Sequence, residues 1–258
     1  KACVEAARAG HDMLLVCSNY LYQKQAVEAL VKAYDSSELP LKELDASVKR
    51  ILALKRFCSR KRSLHPRKIS QDPEALAGRI ARQSITVISD EKHLLPVDCR
   101  EAGGKKAGDI LLLIPDLSAV HPLEEGYEPT DKHFLIQECK SYWSGKLAFR
   151  FFPMNPAAEE IEQMIRARHK HSLCIVFLSN AQGNEGQRLL IEKLNLSNDP
   201  LIFVLLDNPF DLEFIDTKCT CITSYGYRRV QILALIKVLF GKAEAPGSLP
   251  FKAHEWRR

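Results

Sequence analysis

No apolar run in the 258 residues approaches the ~20 needed to cross a bilayer; the longest, Ile110–Ile114 and Leu201–Leu206, are strand-sized. No membrane span is expected. There is no C-x-x-C pair, although the chain holds eight cysteines, at 3, 17, 58, 99, 139, 174, 219 and 221. Several sit inside apolar runs, where a free thiol behaves as a small hydrophobe. They read as reduced core thiols, which favours the cytoplasm; a secreted or periplasmic protein is the alternative, because an address would stand upstream of Lys1. Charge of one sign is not in large excess: 37 basic against 32 acidic residues leave a net +5, spread along the chain rather than gathered in a stripe. No nucleic-acid partner is expected. Rossmann and P-loop signatures are missing, and Gly103-Gly104 neither follows a strand nor opens a helix. A G-x-S-x-G elbow is missing as well. The chain opens in mid-helix at Lys1-Ala-Cys-Val-Glu, without Met or signal sequence, as a piece of something longer would.

What is present alternates in period. Lys1–Ala9 is helical and closes at Gly10, a residue suited to a left-handed cap. Asp12–Cys17 reads as a strand buried on both faces, and Leu21–Tyr34 and Leu41–Phe57 as helices with apolar stripes. The run from Arg56 to Lys68 holds six Lys or Arg and Pro66, and residues 58–72 read as a basic linker that lies against an acidic surface. Asp72-Pro73-Glu74 starts a helix with an N-cap acid and a first-turn proline, and Asn155-Pro156 repeats that start. Strands are expected at 85–88, 109–114, 147–152, 173–178, 201–206 and 219–223. Helices are expected near 131–143, 156–170, 187–194 and 230–240, with a short turn at 211–215 and Gly241 as the final stop. Six short apolar strands alternating with helices call for a mainly parallel sheet covered on both faces: a three-layer α/β sandwich.

Candidate chemistry is sparse. Gly183-Asn184-Glu185-Gly186 follows a strand and precedes a helix, where an open α/β sheet binds ligands; a plain connection explains it equally well. His169 and His171 lack a Cys or carboxylate at ligand spacing, so no metal is expected. Cys219 and Cys221 share one strand face and read as core. His93, His121 and His133 have no obvious nucleophile partner. Glu124-Glu125 and Glu159-Glu160 read as solvated charge.

Four stretches together resemble family 3 glycoside hydrolases, the bacterial β-N-acetylhexosaminidase branch in particular. Ala9-Gly-His-Asp-Met-Leu-Leu-Val-Cys-Ser-Asn19 is similar to the eighth strand of the family's (β/α)8 barrel, and Leu44–Lys55 to its last helix. Ala81–Ser89 with Leu94-Leu-Pro96 resembles the entry to its C-terminal sandwich, and Val238–Pro250 the closing segment. Tyr225-Gly-Tyr227 and Asn208-Pro-Phe-Asp-Leu212 suit the same branch. The resemblance implies that residues 1–57 are the end of a barrel, 58–72 the linker and 73–258 the sandwich domain. It implies a retaining hydrolase that removes terminal β-N-acetylglucosamine, in peptidoglycan or chitooligosaccharide turnover, and needs no cofactor. The nucleophilic Asp and the His–Asp acid/base pair would lie upstream of Lys1, so the chain alone is expected to be inactive. Its partners would be the carbohydrate substrate and the upstream part of the barrel. Ser18 and Asn19, at the end of the eighth strand, become candidates for sugar contact; Asn19 equally suits a cap for the following helix. The glucosidase branch takes an acid from the sandwich domain. Glu185 stands at the corresponding place, but Ala181–Gln187 departs from that acidic loop and favours the hexosaminidase branch. The alternatives are a non-catalytic sandwich that braces the barrel or binds glycan, and a β-glucosidase or xylosidase of the same family.

Overall fold

A computed structural model describes residues 1–17, 20–59, 72–97, 108–117 and 132–252. The chain divides into two units, Lys1–Ile69 and a larger one that begins at Ser70.

The N-terminal unit holds three helices: α1 (Ala2–Arg8), α2 (Tyr20–Asp35) and α3 (Leu41–Cys58). Gly10 closes α1 with φ +92°, the left-handed conformation expected of it. The unit's core is small, with Val4, Ala33 and Leu39 buried together. The strand expected at Asp12–Cys17 does not form: the run pairs with no sheet, and Leu15 is 93% exposed. A strand exists only through a neighbour's backbone, and none lies beside this run among the described residues. Instead Asp12 holds the run to α3, accepting from Ser47 Oγ at 2.7 Å, Arg50 Nε at 2.7 Å and Arg50 Nη2 at 2.6 Å. The Arg50 guanidinium draws the Asp12 carboxyl down to about 2. Its folded value is below its unfolded one, so the tie is in force above the ordinary carboxylate range and is lost as pH falls from about 4 toward 2. Arg50→Gln should return Asp12 toward an ordinary carboxylate in a carboxyl-resolved NMR titration; an unmoved Asp12 would show that Arg50 does not set it.

The larger unit is the three-layer sandwich. Its elements are α4 (Pro73–Ser84), β1 (Thr86–Ser89), β2 (Ile110–Pro115), α5 (Lys132–Tyr142), β3 (Leu147–Phe152), α6 (Ala158–Arg168), β4 (Leu173–Leu178), α7 (Glu185–Asn195), β5 (Leu201–Leu205), β6 (Thr220–Thr223) and α8 (Arg229–Leu239). Short 3-10 turns occupy Ala181–Gly183 and Pro209–Phe214. The sheet order is β1-β6-β5-β4-β2-β3, parallel except for the β1–β6 pair. Alternating side chains divide the core. Ile110, Leu112, Ile114, Ile175, Phe177, Ile202, Val204 and Ile222 face α4, α5 and α8. Leu111, Leu113, Cys174, Val176, Leu178, Phe203, Leu205 and Cys221 face α6 and α7. Burial on both faces explains why β2, β4 and β5 are apolar throughout rather than alternating. Cys219 and Cys221 share the α6/α7 face, and burial pushes the Cys139 and Cys174 thiols up to about 12. Such thiols are inert packing groups.

Helix starts follow their sequence signals with one exception. Asp72 caps α4, accepting from Glu74 N at 3.0 Å, with Pro73 in the first turn. Asn155-Pro156 does not start α6; Ala157 is its N-cap, and Glu160, expected as solvated charge, accepts from Ala157 N at 2.8 Å. The Asn155 side chain reaches α7 instead.

Candidate functional site

From β2 the chain passes to β3 on one side and then returns to β4 on the other. The crossovers diverge at the carboxyl ends of β2 and β4, which is where an open α/β sheet leaves a crevice for ligands. The β4–α7 connection, Ser179–Asn184, stands at that point.

This connection is braced from below. Asn180 takes a left-handed conformation (φ 54°) and accepts from Gly183 N at 3.3 Å, while Asn184 Nδ2 donates to Asn180 O at 2.8 Å. Gln187, wholly buried, donates to Ser179 O (3.0 Å) and Met154 O (2.7 Å) and accepts from Ser179 N (3.0 Å). The peptides of Ala181 and Gln182 are gripped from two sides. Arg188 Nη1 donates to their carbonyls at 3.2 and 2.5 Å, and the Asp211 carboxylate accepts from both amides, from Gln182 N at 3.2 Å. Gly186 N, in the first turn of α7, is taken by Asn155 Oδ1 at 2.7 Å, and Gln187 N and Arg188 N by Asn184 O. The amides of Ala181–Asn184 and of Gly186–Arg188 are therefore committed inside the protein.

Asp211 is 1% exposed, and burial raises its carboxyl, with Asp207 adding repulsion. A raised folded value means that the ionised group costs stability once pH exceeds the ordinary carboxylate range. Asp211→Asn should therefore be tolerated at neutral pH, and Asp211→Ala should cost roughly 1–3 kcal/mol by taking the acceptor from the buried Ala181 amide and the half-covered Gln182 amide. Denaturant unfolding of the two variants checks this; equal losses would mean that the charge, not the acceptor, is what the fold needs.

Glu185 stands exposed in the first turn of α7. Ser18 and Asn19, the expected sugar contacts, lie outside the described residues, as do Gly103-Gly104, His121, Glu124-Glu125 and residues 60–71 of the linker. His171 Nδ1 lies 2.9 Å from Ala167 O, and His169 approaches Asp199 at 3.5 Å. Among the described residues no group of three or more His, Cys, Asp or Glu is placed to hold a metal. No helix among them is long and apolar enough to cross a membrane. The brace residues Asp211, Gln187 and Arg188 carry no local signal of their role. Asp211 meets Gln182 across 29 positions of chain, and only its place in Asn208-Pro-Phe-Asp-Leu212 marked it.

No family model matches the chain, and no curated protein does. Solved structures do. The chain is similar to a family 3 glycoside hydrolase β-N-acetylglucosaminidase from Paenibacillus sp., with 28% identity and a TM-score of 0.62. The match covers 97% of this chain and 47% of that one, so the chain spans about half the length of that enzyme. A fungal multi-domain β-N-acetylglucosaminidase of the same family matches over 96% of this chain and 28% of its own, at 19% identity and TM-score 0.53. The β-glucoside phosphorylase BglX matches over 94% of this chain and 43% of its own, at 20% identity and TM-score 0.51. These two share the fold. The sheet architecture and the match along nearly the whole chain are consistent with the C-terminal domain of a family 3 glycoside hydrolase.

Proposed function

We propose that this chain is the C-terminal part of a retaining β-N-acetylhexosaminidase that removes terminal N-acetylglucosamine residues, in peptidoglycan or chitooligosaccharide turnover in the cytoplasm. The observation that carries the reading is the 28% identity to the Paenibacillus β-N-acetylglucosaminidase across 97% of the chain. Residues 1–57 are then the end of a (β/α)8 barrel, 58–72 the linker and 73–258 the sandwich domain. In such an enzyme an Asp upstream attacks the anomeric carbon, and a covalent glycosyl-enzyme forms as the protonated leaving group departs. Water then releases the sugar with retained configuration. Neither the nucleophile nor the acid/base is in this chain, and Ser18 and Asn19 contribute sugar contacts at the barrel mouth.

A second reading is favoured by the β4–α7 connection, where the amides of Gln182–Asn184 and Gly186–Arg188 are committed internally. In it the sandwich braces the barrel and touches no substrate.

The test is turnover of aryl N-acetyl-β-glucosaminide and aryl β-glucoside by the full-length protein and by this chain alone. The first reading expects the full-length protein to hydrolyse the N-acetylated substrate with retention, and this chain to be inert. Preference for the glucoside would sink the substrate assignment. Turnover by the isolated chain would sink the placement of the nucleophile. Asn19→Ala in the full-length enzyme should raise KM or lower kcat; unchanged kinetics would remove Asn19 from the site.

A further inference from the structure

After α8 the chain turns back at Gly241 (φ +65°), with Lys242 N and Ala243 N both donating to Lys237 O, at 2.7 and 3.2 Å. It then runs past β1, the outermost strand on its side of the sheet. The segment alternates as a strand does. Positions 243, 245, 247 and 249 are half-buried, and 244, 246, 248 and 250 are exposed. Ala243 and Ala245 pack against the α4/α5/α8 side of the core, and Leu249 against the α6/α7 side. The segment therefore crosses the sheet's edge from one layer to the other. Midway, Gly247 N donates to Ile85 O at 3.0 Å. Phe251 then stacks on Phe210, ring centroids 6.1 Å apart.

The crossing leaves no space for a side chain at its midpoint. A Cβ on Gly247 would lie 2.3 Å from Thr86 Oγ1 and 2.7 Å from the carbonyl oxygens of both Ile85 and Ser84. Two of those three are backbone and cannot swing away. Between the segment and β1 lies a groove of 620 Å³ lined by Val87, Asp90, Pro96, Val238 and Gly241, so the segment stands over the edge without being part of the sheet.

We propose that Ala243–Leu249 is a strap that closes the β1 edge, and that lifting it lets β1 pair with β1 of a second copy of this chain. An uncovered edge strand presents unpaired N–H and C=O groups that any extended strand can satisfy. The strand Thr86-Val-Ile-Ser89 has no charge and no proline to repel one, and it is mostly β-branched. The fitting occupant is the same strand running antiparallel, because a two-fold contact asks only that the edge be complementary to itself. Val87 is 38% exposed, so it can carry a charged side chain that would spoil such a pair without entering the core.

The full chain is compared with Gly247→Val and with Gly247→Val/Val87→Lys by hydrogen exchange and light scattering. In the parent, the Gly247 amide is expected to be protected relative to Ser248. In Gly247→Val, the amides of Thr86–Ser89 should exchange at least about tenfold faster. The weight-average mass should then climb toward twice the parent's as concentration rises, and Val87→Lys should reverse that climb. Comparison with the parent removes any association through the N-terminal unit. Parent-like mass and β1 exchange in Gly247→Val would overturn the proposal, as would an association that Val87→Lys leaves untouched. Should Gly247→Val fail to fold, Phe251→Ala, which takes away only the stacked ring at the strap's far end, is expected to shift both readouts in the same direction. Independently, a Gly247 amide that exchanges at the rate of an open loop in the parent refutes the strap.

Discussion

Gly186→Ala is expected to cost the sandwich about 2–3 kcal/mol, a large effect for one methyl group. An alanine Cβ at this position would lie 2.2 Å from Pro156 O and 2.7 Å from Pro156 N. Both are backbone atoms, held on the β3–α6 connection that α7 packs against, so one of the two segments has to move. Movement lengthens the 2.7 Å bond from Gly186 N to Asn155 and the 2.7 Å bond from Gln187 to Met154 O. Gly183→Ala is the matched control. Its Cβ would meet the Asn180 amide at 2.8 Å, but a surface side chain can turn away, and the expected loss is under about 1 kcal/mol. Urea unfolding with unchanged slope measures both. At roughly 2–4 °C per kcal/mol for a unit of this size, the two variants should also separate in Tm. Equal midpoints would mean that the Pro156 connection is compliant.

Asp199→Ala should be the more damaging half of an ion pair whose other half is replaceable. Arg168 is 2% exposed, although it carries a guanidinium. It donates to the Asp199 carboxylate, to Ser197 Oγ at 2.7 Å and to Asp199 O at 3.0 Å. Asp199 itself is 51% exposed. Removing the carboxylate strands a buried cation, for which the typical cost is about 3–5 kcal/mol, trimmed here by the two neutral acceptors that stay. Arg168→Met keeps most of the volume, removes the charge and lets Asp199 return to water, so about 1 kcal/mol or less is expected. The Ser197 hydroxyl and then Arg168 hold the Asp199 carboxyl below its usual range. The contribution is thus present at neutral pH and fades as pH falls through the acid range. Equilibrium unfolding of the two single variants and the double variant decides the matter; an Arg168→Met loss as large as that of Asp199→Ala would reverse the argument.

The sandwich was legible because its signals are local. Leu173–Leu178 and Leu201–Leu205 are apolar at every position, and that pattern survives only where both faces are covered. The strand boundaries fall within a residue of those expected. Asp12–Cys17 carries the same apolar signature and forms no strand, because periodicity describes side chains while a strand is made by a partner's backbone. Asn155-Pro156 misled in the opposite way. The pair has the composition of a helix start, but a neighbour 31 positions later claims the Asn155 oxygen. The brace around Ala181 and Gln182 was illegible for that reason too, since Asp211 reaches it only through the assembled sheet.

The strand order has a further consequence, in the time domain. Among the described residues β1 is the first strand of the sandwich to be synthesised, and its sheet partner there, β6, is the last. Ser89 Oγ meets Cys219 O, and Asp90 Oδ1 meets Thr220 Oγ1, each across 130 residues. At a ribosome adding ~5–20 residues per second, β1 waits several seconds or more before anything in the sheet can receive it. The central strands have partners much nearer in the chain and can assemble meanwhile. Closure of the sheet by β1 is therefore a late event in folding, and a long-range one of the kind that slows it.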